Sequence, residues 1–155
     1  MPEIIEGQDA PDFEAQATGD KTVTLSQLQG NRVVLYFYPK DNTPGCTQEG
    51  QAFRDQFAEF DKLDTIVLGI SRDSLRTHEN FKSKHGFPFD LLTDPDETLC
   101  TLYDVIKMKN MYGKTVRGIE RSTFLIDEHG KLAHIWRKAK VKGHVDEVLE
   151  KLRSV

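Results

Sequence analysis

The hydrophobic positions of the chain form short apolar runs that alternate with stretches of helical periodicity. Residues 33–38 and 65–71 are nearly continuous apolar runs, a pattern typical of strands that are buried on both faces. Between them, residues 44–60 place phenylalanines at helical spacing, which predicts a helix that begins at Pro44. This part of the chain therefore predicts a β–α–β unit.

Capping residues and turn signals define the elements that follow. Ser74 is a suitable N-cap for a helix that ends near His85, and Gly86 is a suitable stop. Asp94 is predicted to cap a second helix through about Tyr103, with a proline at its first position and a glutamate at its third. The other predicted elements are an extended loop at 7–11, short strands at 21–25 and 87–92, a hairpin formed by 122–127 and 131–137, and a helix at 144–152.

The order of these elements predicts an α/β protein with a mixed central sheet and helices on both faces. The thioredoxin-like fold has this plan, and a flavodoxin-like sheet is the alternative that the pattern leaves open. With 155 residues, 37% hydrophobic and 30% charged, residues 1–155 are predicted to form a single domain.

The composition also bears on partners and location. A formal net charge of −4 argues against general nucleic-acid binding, so no nucleic-acid partner is expected. The basic run at 136–142 is the local exception, and we interpret it as a solvated loop and helix entrance. No run approaches the roughly 18 apolar residues that span a bilayer, and no signal-peptide pattern is present. These observations predict a cytoplasmic protein without a membrane partner.

One cysteine stands where chemistry is expected. Cys46 follows the turn residues Thr43-Pro44-Gly45, at the place where the helix should begin. Unpaired backbone N–H groups and the positive end of the helix dipole both stabilise a thiolate there. Cysteines in such settings have pKa values of roughly 3.5–7.5, against about 8.5 for a free thiol. Cys46 is therefore the candidate nucleophile, and the alternative is an inert buried thiol.

The turn before Cys46 supplies further parts of a candidate site. The Thr43 hydroxyl can form a hydrogen bond with the sulfur, and Pro39 can wall the pocket off from water. The N–H groups of Gly45 and Cys46 form a small donor cluster. Such donors would stabilise an oxygen that gains negative charge as a thiolate attacks a peroxide O–O bond. The product on the protein would be a sulfenic acid.

A cation is still required to hold the thiolate and to polarise the peroxide. Arg121, which precedes the predicted strand at 122–127, is the candidate, with a solvated surface arginine as the alternative. A metal site is poorly supported, because the five histidines lie on separate predicted elements and neither cysteine belongs to a Cys-x-x-Cys pair. We therefore expect no metal and no dithiol chemistry of the thioredoxin type.

These residues are very similar to those of the peroxiredoxins, specifically the Q-type branch, also called bacterioferritin comigratory protein. The resemblance covers nearly the whole chain. Its motifs are Gly7-x-x-Ala10-Pro11-x-Phe13, Leu35-Tyr36-Phe37-Tyr38-Pro39-Lys40-Asp41-Asn42-Thr43-Pro44-Gly45-Cys46-Thr47-x-Glu49, Phe53-Arg54-Asp55, Gly69-Ile70-Ser71, Lys84-His85-x-x-Pro88-Phe89, Leu92-x-Asp94, Met111-Tyr112-Gly113-Lys114 and Arg121-Ser122-Thr123-Phe124-Leu125-Ile126-Asp127.

The resemblance implies a thioredoxin fold and a thiol-dependent peroxidase that reduces hydrogen peroxide and organic hydroperoxides. It makes Cys46 the peroxidatic cysteine, supported by Thr43, Arg121 and Pro39, with Glu49 as a secondary candidate. The substrate-binding set that it implies is Thr43, Gly45, Cys46 and Arg121. The implied partner is an external thiol reductant, namely thioredoxin, glutaredoxin or glutathione. Since the family uses no metal or organic cofactor and the branch is usually monomeric, we expect no cofactor and a monomer.

The sequence departs from this branch in its second cysteine. Many members carry a resolving cysteine five residues after the peroxidatic one, where this chain has Gln51, and others carry it on the helix that corresponds to 74–85. The remaining thiol, Cys100, flanks an apolar stripe and is interpreted as a small buried hydrophobe, with a resolving role as the alternative. We therefore predict a one-cysteine mechanism that is recycled by an external thiol. The alternative function is a peroxide-sensing, thiol-binding module without efficient turnover.

Overall fold

The computed structural model describes residues 4–155, so residues 1–3 of the predicted domain lie outside the described part of the chain. The strands are β1 (Glu14–Ala17), β2 (Lys21–Thr24), β3 (Arg32–Phe37), β4 (Thr65–Ser71), β5 (Asp90–Thr93), β6 (Ile106–Met111), β7 (Lys114–Ile119), β8 (Ser122–Ile126) and β9 (Leu132–Trp136). The α-helices are α1 (Pro44–Asp55), α2 (Phe57–Lys62), α3 (Leu75–His85), α4 (Thr98–Leu102) and α5 (His144–Ser154), and a 3-10 helix covers Leu25–Leu28.

Seven strands form one mixed sheet in the order β2-β1-β5-β4-β3-β8-β9. β3, β4 and β5 are parallel, and the crossovers between them contain the helices α1, α2 and α3. The remaining neighbours in the sheet pair antiparallel, including β8 against β3 and β9 against β8. This thioredoxin-like arrangement confirms the predicted α/β fold. It excludes the flavodoxin-like alternative, whose doubly wound sheet is parallel.

The central strand β3 separates two hydrophobic cores, because alternate side chains of a strand point to opposite faces of its sheet. Leu35 and Phe37 belong to a core that includes residues of α4, β1 and the 3-10 helix. Tyr36 and Tyr38 belong to the other core, which includes residues of α1, α2, α3 and α5. Helices therefore cover both faces, as predicted, although most of them lie on one face.

Several local predictions are confirmed by the observed caps and turns. The Ser74 hydroxyl accepts a hydrogen bond from the Thr77 N–H at 3.2 Å, and Gly86 ends α3 in the left-handed conformation with φ 62°. β8 and β9 form the predicted hairpin, and the C-terminal segment forms α5. The helix predicted over 44–60 is interrupted at Gln56, so that it becomes α1 and α2.

The helix predicted to follow Asp94 starts later than expected. Its first residue is Thr98, because the chain first makes a turn in which the Glu97 N–H donates to the Asp94 carbonyl at 3.0 Å. The backbone of Glu97 is left-handed, with φ 61°, and its carboxylate bonds two arginines instead of closing a capping box. The strand predicted at 87–92 is likewise displaced and forms β5.

Three strands were missed by the sequence analysis. β1 contains two alanines, which are poor strand formers, and is only four residues long. β6 and β7 form a separate hairpin joined by Tyr112-Gly113, both with positive φ as in a type I′ turn. Tyrosine is an unusual residue at such a position, so the turn signal was weak.

Within residues 4–155, no helix has the length and apolar character that crossing a bilayer requires.

Candidate active site

Cys46 is the third residue of α1, directly after the loop that leaves β3. Pro44 is the first residue of the helix, as predicted, and Thr43 precedes it with an extended backbone. Within residues 4–155, no group accepts a hydrogen bond from the N–H of Gly45 or of Cys46. These donors are therefore free to bind an oxygen atom or to stabilise the sulfur, whose residue is only 2% exposed.

Arg121 lies against the sulfur. Its Nη2 is 3.4 Å from Sγ of Cys46, and its Nη1 donates to Oε1 of Glu49 at 2.5 Å. The antiparallel pairing of Ser122 with Phe37 explains this position, because the residue before β8 then lies at the end of the sheet where β3 leads into α1. The predicted cation and the predicted nucleophile are thus brought together, with the guanidinium bridging thiol and carboxylate.

Glu49 is fully buried one helical turn after Cys46. Burial raises the pKa of its carboxyl group to about 7, although the charge of Arg121 and its hydrogen bond act in the opposite direction. Within the described residues, its second oxygen, Oε2, has no hydrogen-bond partner, and the same is true of the buried hydroxyl of Tyr36. From the sequence, Glu49 was only a secondary candidate, although the Cys-x-x-Glu spacing places both side chains on one face of the helix.

The other predicted site residues surround this pair. The Thr43 hydroxyl donates to the Lys40 carbonyl at 2.8 Å and not to the sulfur, so its direct contact with Cys46 stays a prediction. Pro39 is half-buried after β3. Gly45 lies so close to Arg121 that an added Cβ would be 3.3 Å from Nη2. A side chain at this position would therefore crowd the guanidinium.

A buried network that the sequence analysis missed holds the loop before α1. Asp41 accepts hydrogen bonds from the Tyr38 hydroxyl at 2.6 Å and contacts Nδ1 of His78 at 2.6 Å. The other ring nitrogen of His78 lies 2.9 Å from the Leu92 carbonyl, which can only accept, so Nε2 carries a hydrogen. The network therefore attaches the active-site loop to α3.

The same network contains three residues that are potential metal ligands. Potential ligand atoms of Asp41, Asp73 and His78 lie within 4.8 Å of one another. Both ring nitrogens of His78 already take part in hydrogen bonds, and Asp73 accepts from the Asp41 N–H at 3.0 Å. These contacts leave no free imidazole nitrogen for a cation, so the cluster is a hydrogen-bonded one.

Cys100 lies in a different environment, on the opposite face of the sheet from Cys46. It is fully buried in α4, and its N–H donates to the Asp94 carboxylate at 2.8 Å. Burial, together with the neighbouring carboxylate, raises the pKa of its thiol far above the usual range. A thiol in this state is a poor nucleophile.

Comparisons with known proteins identify relatives of the chain. The model of the AhpC/TSA family matches residues 6–135. Peroxiredoxin Bcp of Xanthomonas campestris is 52% identical over 143 residues, which cover 92% of this chain and 89% of that protein. Peroxiredoxin Bcp of Bacillus subtilis is 50% identical over 149 residues, which cover 96% and 95%.

Solved structures show the same relationship in three dimensions. A variant of Xylella fastidiosa PrxQ superposes with a TM-score of 0.93 at 42% identity, covering 99% of this chain and 98% of that one. The Xanthomonas campestris bacterioferritin comigratory protein, whose alkyl peroxide reduction activity was studied in trapped complexes, superposes with a TM-score of 0.90 at 48% identity, covering 97% and 98%. The chain therefore belongs to the AhpC/TSA family and, within it, to the Bcp (PrxQ) peroxiredoxins, which are thiol-dependent peroxidases.

Proposed function

We propose that this peroxidase reduces hydrogen peroxide and organic hydroperoxides through Cys46 alone and is recycled by an external thiol. In the first step the Cys46 thiolate attacks one peroxide oxygen, so that an S–O bond forms and the O–O bond breaks. The peroxide is reduced by two electrons, and the sulfur is oxidised to a sulfenic acid. The departing oxygen takes a proton and leaves as water or an alcohol.

The geometry around Cys46 supports this step. The guanidinium of Arg121, 3.4 Å from Sγ, favours the thiolate and is placed to polarise a peroxide that approaches the sulfur. The free N–H groups of Gly45 and Cys46 are available for the oxygen that gains charge. Because these donors act on charge that develops during the reaction, they stabilise the transition state more than the bound peroxide.

The single observation that carries the one-cysteine mechanism is the placement of the two thiols. Cys46 and Cys100 belong to different hydrophobic cores, and the strand β3 lies between them. A disulfide requires Cα atoms no more than about 7 Å apart, so joining the two cysteines would require a large rearrangement of α1 or α4. The sulfenic acid is therefore attacked by an external thiol.

In the second half of the cycle, the donor returns Cys46 to its thiolate form. A donor thiolate attacks Sγ of the Cys46 sulfenic acid, an S–S bond forms, and the S–O bond breaks to release water after protonation. A second donor thiol attacks the donor sulfur of this mixed disulfide and releases the Cys46 thiolate. The donor ends as a disulfide, having supplied two electrons.

The proposal is tested by treating the reduced protein with one equivalent of hydrogen peroxide and analysing it by mass spectrometry. We expect one sulfenic acid on Cys46, which a dimedone adduct traps, and no Cys46–Cys100 disulfide. A stoichiometric intramolecular disulfide would contradict the one-cysteine mechanism. Supplying thioredoxin, glutaredoxin and glutathione separately then identifies the donors that sustain peroxide consumption.

The same assay decides between turnover and the sensing role. A protein that is oxidised once and that no donor recycles would favour the sensor. A monomeric state and a cytoplasmic location remain predictions, which size-exclusion chromatography and cell fractionation test.

A further inference from the structure

The lysine residues of the protein are distributed unevenly with respect to its carboxylates. Thirteen lysines occur in the sequence. Those that form an ion pair within residues 4–155 are Lys21, Lys62, Lys82, Lys107 and Lys131. Five of the lysines without such a partner lie on the segments that surround Cys46, namely Lys40, Lys109, Lys138, Lys140 and Lys142. Five of the eight lysines without an ion-pair partner in residues 4–155 are therefore on these segments, although the protein is acidic overall.

The basic segment, residues 137–142, forms one side of this region. The Ala139 N–H donates to the Arg121 carbonyl at 2.9 Å, and Cγ2 of Val141 would lie 3.5 Å from a Cβ placed on Gly45. Ala139 and Val141 are half-buried, whereas the three lysines that alternate with them are exposed. The segment interpreted from sequence as a solvated loop is therefore attached to the active site, with its positive charges facing solvent.

The hairpin β6–β7 and the loop before α1 carry the other two lysines. Burial and the positive charge of Arg121 lower the pKa of Lys109, while the charge of Cys46 acts in the opposite direction, which places this ammonium within the electrostatic field of the site. Lys40 is exposed, and its carbonyl accepts the hydrogen bond from Thr43. Three separate segments that contact the site or lie within its electrostatic field thus carry basic side chains.

The hairpin also exposes large apolar side chains beside these charges. Tyr112 at its tip is fully exposed, and three further apolar residues of the hairpin are also exposed, namely Met108, Met111 and Val116. A small anion would use the positive charges but would leave the apolar surface uncovered. A protein partner can cover both, since interfaces combine apolar anchors with complementary charge.

We propose that the basic segment, Lys40 and the hairpin β6–β7 form the docking surface for an acidic protein that delivers the reducing thiol. This inference rests on the one-cysteine mechanism, which requires an external thiol to reach Cys46. Two proteins of negative net charge repel each other at long range, and a positive patch around the nucleophile reverses this effect at the required place. The patch therefore accelerates productive encounter and orients the donor thiol toward the Cys46 sulfur.

The test separates the two halves of the catalytic cycle by stopped flow. The reduced protein is first mixed with hydrogen peroxide to measure oxidation, and the oxidised protein is then mixed with a reduced thioredoxin of negative net charge. Lys140→Glu reverses one charge of the basic segment. Lys84→Glu is the matched control, because Lys84 is also exposed and forms no ion pair within residues 4–155 but lies at the end of α3.

We expect Lys140→Glu to slow reduction by thioredoxin about tenfold at low salt, because steering effects of this kind change association rates by about 10-fold or more. The difference should nearly vanish at about 1 M salt, where the Debye length is only about 3 Å. Oxidation by hydrogen peroxide, a neutral molecule, should be the same in all three proteins. The oxidised Lys84→Glu protein should be reduced by thioredoxin at the parent rate at every salt concentration.

Three outcomes would overturn the docking surface. These are an equal effect of both substitutions, a reduction rate that does not depend on salt, and turnover that glutathione sustains but acidic protein donors do not. The last outcome would mean that the positive charges bind a small anionic thiol and not a protein. Failure of the unmodified protein to form a sulfenic acid would instead refute the proposed function, so the two failures are distinguishable.

Discussion

The N-termini of α1 and α4 each place a buried cysteine at the same helix position, but the groups around the two thiols differ. Cys46 and Cys100 are each the third residue of a helix, and they are 2% and 0% exposed. At α4, the Asp94 carboxylate accepts hydrogen bonds from the N–H groups of Leu99 and Cys100, so an anion already occupies the helix end. At α1 the corresponding N–H groups have no acceptor within the described residues, and a guanidinium lies beside the sulfur.

If Cys46 is the nucleophile, as proposed, then neither helix position nor burial decides which of the two thiols reacts. Both cysteines share the favourable end of a helix dipole and a nearly complete exclusion from solvent. The two thiols differ in the charged group that forms a hydrogen bond beside them, which is the Asp94 carboxylate for Cys100 and the Arg121 guanidinium for Cys46. A negative neighbour disfavours a thiolate, whereas a positive one favours it.

The largest expected effect comes from removing each sulfur in turn. Cys46→Ser should abolish peroxide reduction, because a serine hydroxyl without a general base does not attack the O–O bond. Cys100→Ser should keep the parent rate within about twofold, because that thiol takes no part in the proposed cycle. The initial rate of peroxide consumption with a thiol donor measures both. Parent activity in Cys46→Ser, or a large loss in Cys100→Ser, would contradict the assignment.

Removing the Arg121 guanidinium should make the Cys46 thiol less reactive toward peroxide, as is expected of Cys100. We expect Arg121→Ala to slow the oxidation of Cys46 about 10²–10³-fold, the range found when one preorganised donor to a transition state is lost. Arg121→Lys should recover part of the rate, since it keeps the charge but cannot bridge the sulfur and Glu49 as a planar guanidinium does. Stopped-flow oxidation by hydrogen peroxide measures the effect.

Arg76→Ala is the control for this series, because Arg76 is an exposed arginine on α3 and forms no ion pair within residues 4–155. Its oxidation rate should equal that of the parent. An unchanged rate in Arg121→Ala would remove Arg121 from the proposed chemistry and leave only the helix N–H groups to explain the reactivity of Cys46.

The surroundings of Cys46 could be predicted only in part from the sequence. The apolar run of β3 and the turn before Cys46 predicted a strand followed by a helix N-terminus, because both patterns are local. The approach of Arg121 depends on the pairing of β8 with β3, which joins residues far apart in sequence. Local patterns do not encode such a pairing, so Arg121 could be named as a candidate but not placed.

The missed features have the same origin. Asp41 and His78 are distant in sequence, and their contact forms only when α3 packs beside the active-site loop. The apolar face of α3 shared by His78 and Phe81 was a weak signal of a buried histidine. The predicted role of Asp94 was partly correct, since its carboxylate bonds the first turn of α4, but the intervening turn moved the helix start to Thr98.

The carboxyl group of Glu49, beside Arg121, should make the free energy of unfolding depend on pH. The pKa of Glu49 is raised to about 7 in the folded protein from an ordinary value near 4.5. A raised pKa contributes stability that is fully present below about pH 4.5 and is lost as the pH rises through about 7. The parent should therefore lose about 2–3 kcal/mol relative to Glu49→Gln between pH 5 and pH 8, at about 1.4 kcal/mol per pKa unit.

Urea denaturation of both proteins at the two pH values, with a reductant present, measures this difference. Burial lowers the pKa of His144 to about 4, which changes stability in the opposite direction over part of the same range, but this contribution is common to both proteins and cancels. Glu150→Gln, an exposed residue of α5, is the control and should show no relative change. A pH-independent difference for Glu49→Gln would show that the carboxyl group titrates normally.

The substitution with the smallest expected effect, Asp94→Ala, tests whether a helix end with free N–H groups can by itself activate a thiol. Asp94→Ala frees the N–H groups of Leu99 and Cys100, so that α4 acquires the uncapped end that α1 already has. We expect a loss of about 1–2 kcal/mol in the free energy of unfolding, as for other helix caps, and unchanged peroxidase activity. Asp96→Ala, an exposed carboxylate of the same turn, should change neither. Within residues 4–155, no guanidinium forms a hydrogen bond with Sγ of Cys100 as Arg121 does with Sγ of Cys46, so the alkylation of Cys100 by iodoacetamide under native conditions should rise only in proportion to unfolding. Faster alkylation than unfolding allows would mean that free N–H groups suffice to activate a buried thiol, and the role assigned to Arg121 would then be smaller than the comparison of the two helices indicates.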